Sequence, residues 1–357
     1  MNEIISSDQI IKSVIYTVAI FFALMIPGII LKKANMIPDG IGRGLSNLVL
    51  YIAQPALVFL AYVKPYDKKE IMINSIYVFI FSIIAHAIFA AVALAVFRKA
   101  PDSKARMLKF ATIFANAAFL GIPLIDAVLE EHFPGATMYA SIYNITFNLF
   151  LWTLGVNICT ANRDINNDGV DDFKEVSALR RREDDDDIVV NASGSVLKAI
   201  THPVTIAAIL GLIFFAMPTE KIVLPEFGNV AVSFIYDVLS RLSSLVAPLS
   251  MVVLGIRLAD MNFKGLFNDK FMYVFIALRH VALPLVMVGI IKLICLVGIN
   301  INPIVTMVVV ILASAPAATS ATMFAEKFNC NSAYVSRIVA VSTIISIVTI
   351  PLIMLLV

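Results

Sequence analysis

Charged residues are scarce in this sequence. Asp, Glu, Lys and Arg together make up 15% of its 357 residues, against about 25% in soluble globular proteins. Hydrophobic residues make up 60%, against about 45–50% in soluble proteins. A soluble fold has too little interior for so many apolar side chains, and long apolar runs recur along the whole chain. The composition therefore predicts an all-α integral membrane protein.

Cysteine, histidine and catalytic motifs are also sparse. The three cysteines, Cys159, Cys295 and Cys330, are spaced too widely for a zinc site or a disulfide framework. The four histidines are scattered over the chain. The sequence contains no serine-hydrolase, zinc-protease, P-loop or dinucleotide-binding motif. We therefore expect neither an enzyme, nor an ATP-driven pump, nor a nucleic-acid-binding protein, and we expect no cofactor.

Ten apolar segments approach the length of about 20 residues that a membrane-spanning helix needs. They lie near residues 12–31, 43–63, 74–97, 106–130, 137–159, 196–216, 230–255, 272–296, 303–325 and 333–356. The first is too long for a removable signal peptide and has no basic run before it, so we expect it to remain as a span.

Two of these segments contain helix-breaking residues near their middle. The fourth contains Asn116 to Pro123, and the ninth contains Ser314 to Ser320. Proline and glycine in the middle of a span favour local unwinding of the helix, because proline removes a backbone hydrogen bond. We therefore predict that spans 4 and 9 are discontinuous helices.

The prolines also indicate an internal repeat. Pro123 and Pro316 are 193 residues apart, and so are Pro55 and Pro248. Two equal spacings favour a duplicated unit of five helices. Since five crossings end on the opposite side of the bilayer, the second copy is predicted to be inverted, and paired interrupted helices in inverted repeats indicate a transporter's binding site.

The distribution of basic residues predicts the orientation. The odd-numbered connections carry 18 Lys and Arg residues, and the opposite side carries five. By the positive-inside rule, both termini lie outside the cell and the acidic loop at 161–195 is cytoplasmic. That loop contains ten of the 25 acidic residues and five of the 27 basic ones.

Several segments resemble the auxin efflux carrier family, which includes plant PIN-type carriers and bacterial malate and malonate permeases. The similar segments are Asn116 to Pro123, Leu48 to Phe59 with Tyr51 and Pro55, Pro248 to Gly255, and Ala315-Pro316 followed by Phe324 to Phe328. Their order and spacing agree with the family over essentially the whole chain apart from the acidic loop. The family belongs to a superfamily similar to the bile acid:sodium symporters.

This resemblance implies a fold and a separation of the helices into a scaffold and a transport unit. It implies two repeats, at residues 1–160 and 196–357, with broken spans 4 and 9 crossing near the bilayer midplane. Spans 1, 2, 6 and 7 are implied to form a scaffold that also forms a homodimer, while spans 3–5 and 8–10 move as a transport unit. Members carry organic anions, and the asparagine in the position of Asn116 lies beside the substrate carboxylate.

The predicted substrate site is built from the two breaks. Free N–H groups at the start of a half-helix attract a carboxylate, and we expect Ile122 to Asp126 and Ala317 to Ser320 to supply them. The predicted substrate-binding residues are Asn116, Gly121, Ile122, Pro123, Asn148, Ser314, Pro316, Thr319 and Ser320. The alternative is that small residues at the breaks only let two helices pack closely, and that Asn148 forms an interhelical hydrogen bond.

Ionisable residues within the spans are further candidates. Asp126 is expected either to cap the second half of span 4 or to couple transport to H⁺ or Na⁺. His86 is a second candidate coupling residue. Arg279 and His280 are expected to reach the membrane interface, as long charged side chains near helix ends do. The alternative for Arg279 is a gating or substrate-attracting role.

The acidic loop contains a calcium-loop pattern. Residues 164–175 match the EF-hand spacing, with candidate Ca²⁺ ligands Asp164, Asn166, Asp168 and Glu175. Flanking helices for a paired EF-hand are not evident, so an acidic solvated linker is the alternative.

These features together predict a secondary transporter in the plasma (inner) membrane. The expected partners are a small organic acid and the lipid bilayer, and the expected mechanism is alternating access around the crossing. The alternatives are a sodium-coupled carrier similar to the bile acid symporters, and a channel or substrate sensor on the same scaffold.

Overall fold

The protein is helical throughout the part of the chain that its structure describes. The computed structural model describes residues 7–63, 68–100, 102–160, 197–216, 230–259, 269–328 and 330–357. Within these ranges the chain forms no strand, and an isolated β-bridge joins Ala115 to Ala317. The prediction of an all-α protein is confirmed.

The helices follow the apolar segments of the sequence. We label them α1 (Ser7–Lys33), α2 (Ile41–Leu48), α3 (Gln54–Val63), α4 (Lys68–Val96), α5 (Asp102–Ile113), α6 (Ile122–Leu129), α7 (Ala136–Phe150), α8 (Val156–Thr160), α9 (Pro203–Ala216), α10 (Val230–Ser244), α11 (Val246–Ala259), α12 (Lys270–Ala277), α13 (Leu283–Leu296), α14 (Pro303–Ser314), α15 (Ser320–Lys327) and α16 (Ser332–Met354). Short π-helical segments lie at Val49–Ala53, Ala117–Gly121, Leu151–Gly155 and Leu278–Ala282.

Seven helical stretches in the described ranges are long and apolar enough to cross a membrane. They are Gln9–Lys33, Ile41–Val63, Lys69–Lys99, Ala136–Cys159, Ser233–Ala259, Lys270–Leu296 and Ser332–Met354. Shorter apolar helices, Ala117–Leu129, Pro203–Ala216 and Pro303–Ser314, stand where spans 4, 6 and 9 were predicted. At about 1.5 Å per residue, helices this short do not cross a bilayer core of about 30 Å by themselves. The seven long helices are those of a multi-pass membrane protein.

Close packing of α1 against α11 depends on two glycines. A Cβ atom added at Gly28 would collide with the backbone oxygen of Val252, and one added at Gly255 would collide with that of Met25. Apolar side chains gain little by leaving lipid for protein, so membrane helices associate through such close contacts between small residues. Gly28 and Gly255 therefore hold α1 and α11 together.

The outward faces of several helices are apolar. Large exposed hydrophobic side chains include Ile15 and Tyr16 on α1, Phe79 on α4, Leu210 on α9 and Val348 on α16. Lipid solvates such side chains well, whereas water would not. The lipid bilayer is therefore the medium that this surface requires.

Candidate functional site

The first interrupted helix breaks at residues 114–116. α5 ends at Ile113, and the Oδ1 atom of Asn116 accepts a hydrogen bond from the Phe119 N–H at 3.3 Å. Asn116 thereby caps the π-helical segment that follows. Its backbone angles, φ −77° and ψ 59°, lie outside the helical region.

The break in span 4 lies earlier than the sequence predicted. Ile122 and Pro123 begin α6, which continues the π-helical segment directly, so the expectation that Ile122 to Asp126 form a free helix N-terminus is wrong. Pro123 has no N–H to donate within this continuous stretch, and the Ala118 oxygen, five residues before it, accepts from Gln54 Nε2 instead. Gly121 has a packing role, since a Cβ atom there would lie 2.6 Å from Leu312 Cδ2 on α14.

The second interrupted helix breaks at residues 315–319. α14 ends at Ser314, Ala315 is extended (φ −60°, ψ 148°), and α15 begins at Ser320. Pro316 lies inside this non-helical segment, whereas Pro123 lies in a helix. The equal proline spacing therefore does not mark equivalent positions.

The two breaks cross each other through backbone hydrogen bonds. The Asn116 N–H donates to the Pro316 oxygen at 2.7 Å, and the Ala318 N–H donates to the Phe114 oxygen at 2.8 Å. These bonds flank the antiparallel bridge between Ala115 and Ala317. The peptide groups that each helix leaves unpaired at its break are thus partly satisfied by the other helix.

Two of the expected anion-binding N–H groups are already occupied. The Ala318 N–H is used in the crossing, and the Ala317 N–H donates to Ser342 Oγ on α16 at 2.8 Å. The prediction that Ala317 to Ser320 offer free N–H groups is therefore wrong for the first two residues.

Five buried polar atoms beside the breaks have no hydrogen-bond partner among the described residues. They are the Nδ2 atom of Asn116, the Oγ atom of Ser320, the Oε1 atom of Gln54, the Oγ1 atom of Thr112 and the Nε atom of Arg279. Asn116 is only 2% exposed. Gln54, on α3, also donates from Nε2 to the Ala118 oxygen at 2.8 Å, which places it at the crossing. A buried donor without an acceptor costs about 1–3 kcal/mol, so such atoms indicate a ligand position.

Arg279 lies at the crossing rather than at the membrane interface. Its side chain is 0% exposed. Its Nη1 atom donates to the Thr112 oxygen at 3.3 Å and its Nη2 atom donates to the Ala315 oxygen at 2.6 Å. The expectation that Arg279 reaches the interface is wrong, because the π-helical segment that contains it packs behind the two breaks.

His280, the residue after Arg279, bonds side chains of α16 behind the second break. Its Nε2 atom lies 2.8 Å from Ser342 Oγ, and its Nδ1 atom lies 3.2 Å from Thr349 Oγ1. Ser342 Oγ in turn accepts from the Ala317 N–H. His280 therefore links Ser342 to Thr349 within the protein and does not reach the interface either.

The remaining hydroxyl candidates lie at the second break. Ser314 is 1% exposed, and its hydroxyl donates to the Val310 oxygen at 2.7 Å within its own helix. Thr319 is 3% exposed and its backbone oxygen accepts from Thr322 Oγ1 at 2.8 Å.

Two other candidates contact different parts of the protein. Asn148 donates to Thr205 Oγ1 on α9 at 3.2 Å, which is an interhelical hydrogen bond. Asp126 lies within α6 and accepts from Thr137 Oγ1 at 2.9 Å, so its predicted role as a helix cap is wrong. A different carboxylate, that of Glu130, caps the start of α7, because it accepts from the Thr137 N–H at 2.8 Å.

His86 is buried in an aromatic cluster between α4, α5 and α7. Its ring is 5.1 Å from that of Phe150 and 5.3 Å from that of Tyr143, measured between centroids. Its Nδ1 atom lies 2.7 Å from the Ser82 oxygen. A coupling role for His86 stays a prediction.

The described residues contain no group of three His, Cys, Asp or Glu side chains that could hold a metal ion. The predicted calcium loop at 164–175 lies outside the residues that the structure describes. Calcium binding therefore stays a prediction.

Comparison with known proteins identifies the family. No curated protein matches the chain. A family described as "Membrane transport protein" matches residues 13–354, which is nearly the whole chain. The chain therefore belongs to this family of membrane transporters, the auxin efflux carrier family.

Proposed function

We propose that this protein is a secondary carrier that moves small organic carboxylates across the membrane by alternating access. The observation that carries this proposal is the Nδ2 donor of Asn116. It is buried at the crossing of two broken helices and has no acceptor among the described residues. A substrate carboxylate would supply that acceptor.

The electrostatics of the crossing favour an anion. The unpartnered Asn116 Nδ2 is a donor, the first turn of α15 offers the positive end of a helix dipole, and Arg279 adds a full positive charge. The Ser320 hydroxyl, also without a partner, stands at the start of α15. An anionic group at this position would meet donors and positive potential.

The proposed architecture has ten spans in two inverted repeats. α5 and α14 end at residues 113 and 314, and the bridged residues Ala115 and Ala317 follow them, so these positions are separated by 201 and 202 residues. The crossing joins one broken helix from each half. This spacing of the two breaks supports the repeat better than the proline spacing does.

The hydrogen bonds of the described helices support two units. In the proposed transport unit (α4–α8 and α12–α16), Arg279 and Ser342 both bond the crossing, and Ser82 of α4 donates to Thr146 of α7 at 2.7 Å. In the proposed scaffold (α1–α3 and α9–α11), glycines join α1 to α11, and Gly211 of α9 packs against the ring of Tyr62. Each unit is thus tied together by its own contacts.

Polar contacts join the two units both in the interior and near the surface. In the interior, Gln54 donates to the Ala118 oxygen, Tyr62 of α3 bonds Ser141 of α7 at 2.7 Å, and Asn148 of α7 donates to Thr205 of α9.

Near the surface, Arg43 of α2 forms an ion pair with Glu326 of α15 at 3.0 Å, and Arg257 of α11 donates to Thr322 of α15 at 2.6 Å. Such bonds can exchange for water when one unit slides past the other. We propose that they close one face of the carrier in this conformation.

The membrane placement follows from charge. The excess of basic residues on one side supports an orientation with both termini outside and the loop at 161–195 in the cytoplasm, for a protein of the plasma (inner) membrane. The scaffold helices are the proposed homodimer surface, and coupling to H⁺ or Na⁺ through Asp126 or His86 is part of the same proposal.

Counterflow in proteoliposomes tests the proposed function. Vesicles containing the purified protein are loaded with unlabelled malate, malonate, lactate or indole-3-acetate, and uptake of the labelled acid is followed. Saturable exchange that is much weaker in Asn116→Ala supports a carboxylate carrier with its site at the crossing.

The same vesicles separate the alternatives. A channel gives conductance without saturable exchange, and a substrate sensor gives neither. Saturable exchange that is unchanged in Asn116→Ala refutes the proposed site while leaving a carrier. Failure of all four acids with folded protein refutes the proposed substrate class.

A further inference from the structure

Gln54 reaches the crossing from the proposed scaffold. It is the first residue of α3, and its side chain is 0% exposed. Its Nε2 atom donates to the oxygen of Ala118, which lies two residues after Asn116 in the proposed transport unit. Because a carbonyl oxygen can only accept, this bond fixes which end of the Gln54 amide is the nitrogen. The other end, Oε1, is therefore an acceptor, and it has no partner among the described residues.

A donor without a partner lies beside the same segment. The Asn116 amide is oriented by its own bond, since its Oδ1 atom accepts from the Phe119 N–H. Its Nδ2 atom is therefore a donor, yet it does not bond the unpartnered oxygen of Gln54. Burial of either atom without a partner is costly. A ligand that satisfies both atoms must offer an acceptor to Asn116 and a donor to Gln54.

A carboxylate alone meets only half of this requirement. Its ionised oxygens accept hydrogen bonds, so they suit the Nδ2 atom of Asn116. The same oxygens have no proton to give, and they would be repelled by the Oε1 atom of Gln54. The ligand therefore needs a second group that carries a proton and lies near its carboxylate. A hydroxyl group and an ammonium group both have this property.

The charge of the crossing favours the hydroxyl group. Arg279 is fully buried there, and the first turn of α15 presents the positive end of a helix dipole. Both would repel an ammonium group, because like charges interact strongly where water is excluded. A hydroxyl group donates to Oε1 without adding a positive charge.

We propose that Gln54 makes this carrier selective for hydroxy acids, in which a hydroxyl group near the carboxylate donates to the Gln54 oxygen. This proposal rests on the proposed carrier function and adds the second group of the substrate to it. Such a substrate contacts Asn116 of the transport unit and Gln54 of the scaffold together. An acid that lacks the hydroxyl leaves the buried oxygen unpaired, and sites built to bond a hydroxyl discriminate strongly against such analogues.

The first arm of the test compares matched acids in counterflow by the wild-type protein. Lactate, propionate and alanine differ only at C2, which carries a hydroxyl, a hydrogen or an ammonium group, and malate, succinate and aspartate form the same series for dicarboxylates. In whichever series is transported, we expect the half-saturation concentration of the hydroxy acid to be lower by about 10-fold or more.

The outcomes of this arm separate the two proposals. Equal exchange of a hydroxy acid and its deoxy analogue overturns the selectivity while leaving a carboxylate carrier. Stronger exchange of an amino acid than of its hydroxy acid overturns the assignment of a neutral donor. If none of these acids is exchanged by folded protein, the carboxylate carrier itself is refuted.

The second arm assigns the selectivity to Gln54. Gln54→Met keeps the length of the side chain and removes both polar atoms. Loss of the bond to Ala118 affects every substrate alike, whereas loss of Oε1 affects only the hydroxy acid. We therefore expect the preference for the hydroxy acid over its deoxy analogue to fall by about 10-fold, towards equal use of the two acids.

The matched control is Tyr62→Phe. It removes another buried bond between α3 and the transport unit, that of Tyr62 to Ser141 at 2.7 Å. We expect this control to keep the wild-type preference, whatever its rate. A wild-type preference in Gln54→Met, or an equal loss of preference in Tyr62→Phe, overturns the role of Gln54. If Gln54→Met does not fold, Gln54→Leu is measured in its place with the same expectations.

Discussion

Asn116 has two separable functions in this structure. Its Oδ1 atom accepts from the Phe119 N–H and caps the π-helical segment, while its Nδ2 atom has no partner. Serine is as good a helix cap as asparagine, but its hydroxyl does not reach where the amide nitrogen lies. Asn116→Ser should therefore keep the cap and lose the donor, and Asn116→Ala should lose both.

The expected magnitudes differ for binding and for stability. A hydrogen bond to a charged group contributes about 1.5–3 kcal/mol, which corresponds to a loss of about 10- to 150-fold in carboxylate affinity. We expect this loss in both variants. Loss of a cap costs about 0.5–2 kcal/mol, so we expect Asn116→Ala alone to be destabilised by that amount.

Two assays separate these effects. The half-saturation concentration for counterflow reports substrate affinity, and thermal unfolding in detergent reports stability. Wild-type affinity in Asn116→Ser would show that Nδ2 does not bind the substrate. If instead affinity falls only in Asn116→Ala, the role of Asn116 is to shape the break rather than to contact the carboxylate.

Three further changes follow from the described contacts. Gly28→Ala should lower stability by about 1–3 kcal/mol because the added methyl group collides with α11, and the control Gly44→Ala, with open space around it, should not lower Tm. Burial raises the pKa of Asp269, but hydrogen bonds, chiefly from Lys104, lower it more, so it lies below 3.8. The ionised Asp269 therefore contributes its full stability at any pH above the ordinary pKa of an aspartate, and this contribution is lost as the pH falls through the lowered pKa. Unfolding measured against pH should show that Asp269→Asn is destabilised at neutral pH but not in strong acid. Pro123→Ala should leave counterflow unchanged because the break lies upstream of α6, and a loss of exchange would show that the proline sets the break.

Local sequence patterns were enough to predict the helices and the existence of the breaks. The apolar runs predict the long spans, and Pro316 marks the second break because proline lies directly in the non-helical segment. Pro123 is misleading, since the helix runs through it from the π-helical segment and Gln54 bonds the Ala118 oxygen in place of a backbone N–H. Asn116 was predicted because its segment resembles the corresponding segment of the auxin efflux carriers, whose asparagine lies beside the substrate carboxylate.

The side-chain contacts that hold the crossing, those of Arg279 and Gln54, could not be predicted in the same way. Arg279 is only nine residues after the start of α12, and its sequence position is equally compatible with reaching the interface. Its true partners, the oxygens of Thr112 and Ala315, belong to helices that are distant in sequence. Gln54 gave one signal, an amide beside a proline in an apolar span, but nothing in the sequence connects it with Ala118.

The arrangement of contacts explains how a carrier of this kind can be rigid at its site and mobile as a whole. The crossing is held by backbone bonds, by Arg279 and by Ser342, all buried, and leaving any of these groups without a partner in the membrane is costly. The ion pair between Arg43 and Glu326 is largely exposed, at 74% and 54%, and such pairs contribute about 0–1 kcal/mol. In the proposed carrier, such exposed bonds would exchange most readily when one unit moves, whereas the buried bonds of Gln54 to Ala118, Tyr62 to Ser141 and Asn148 to Thr205 would have to break or find new partners.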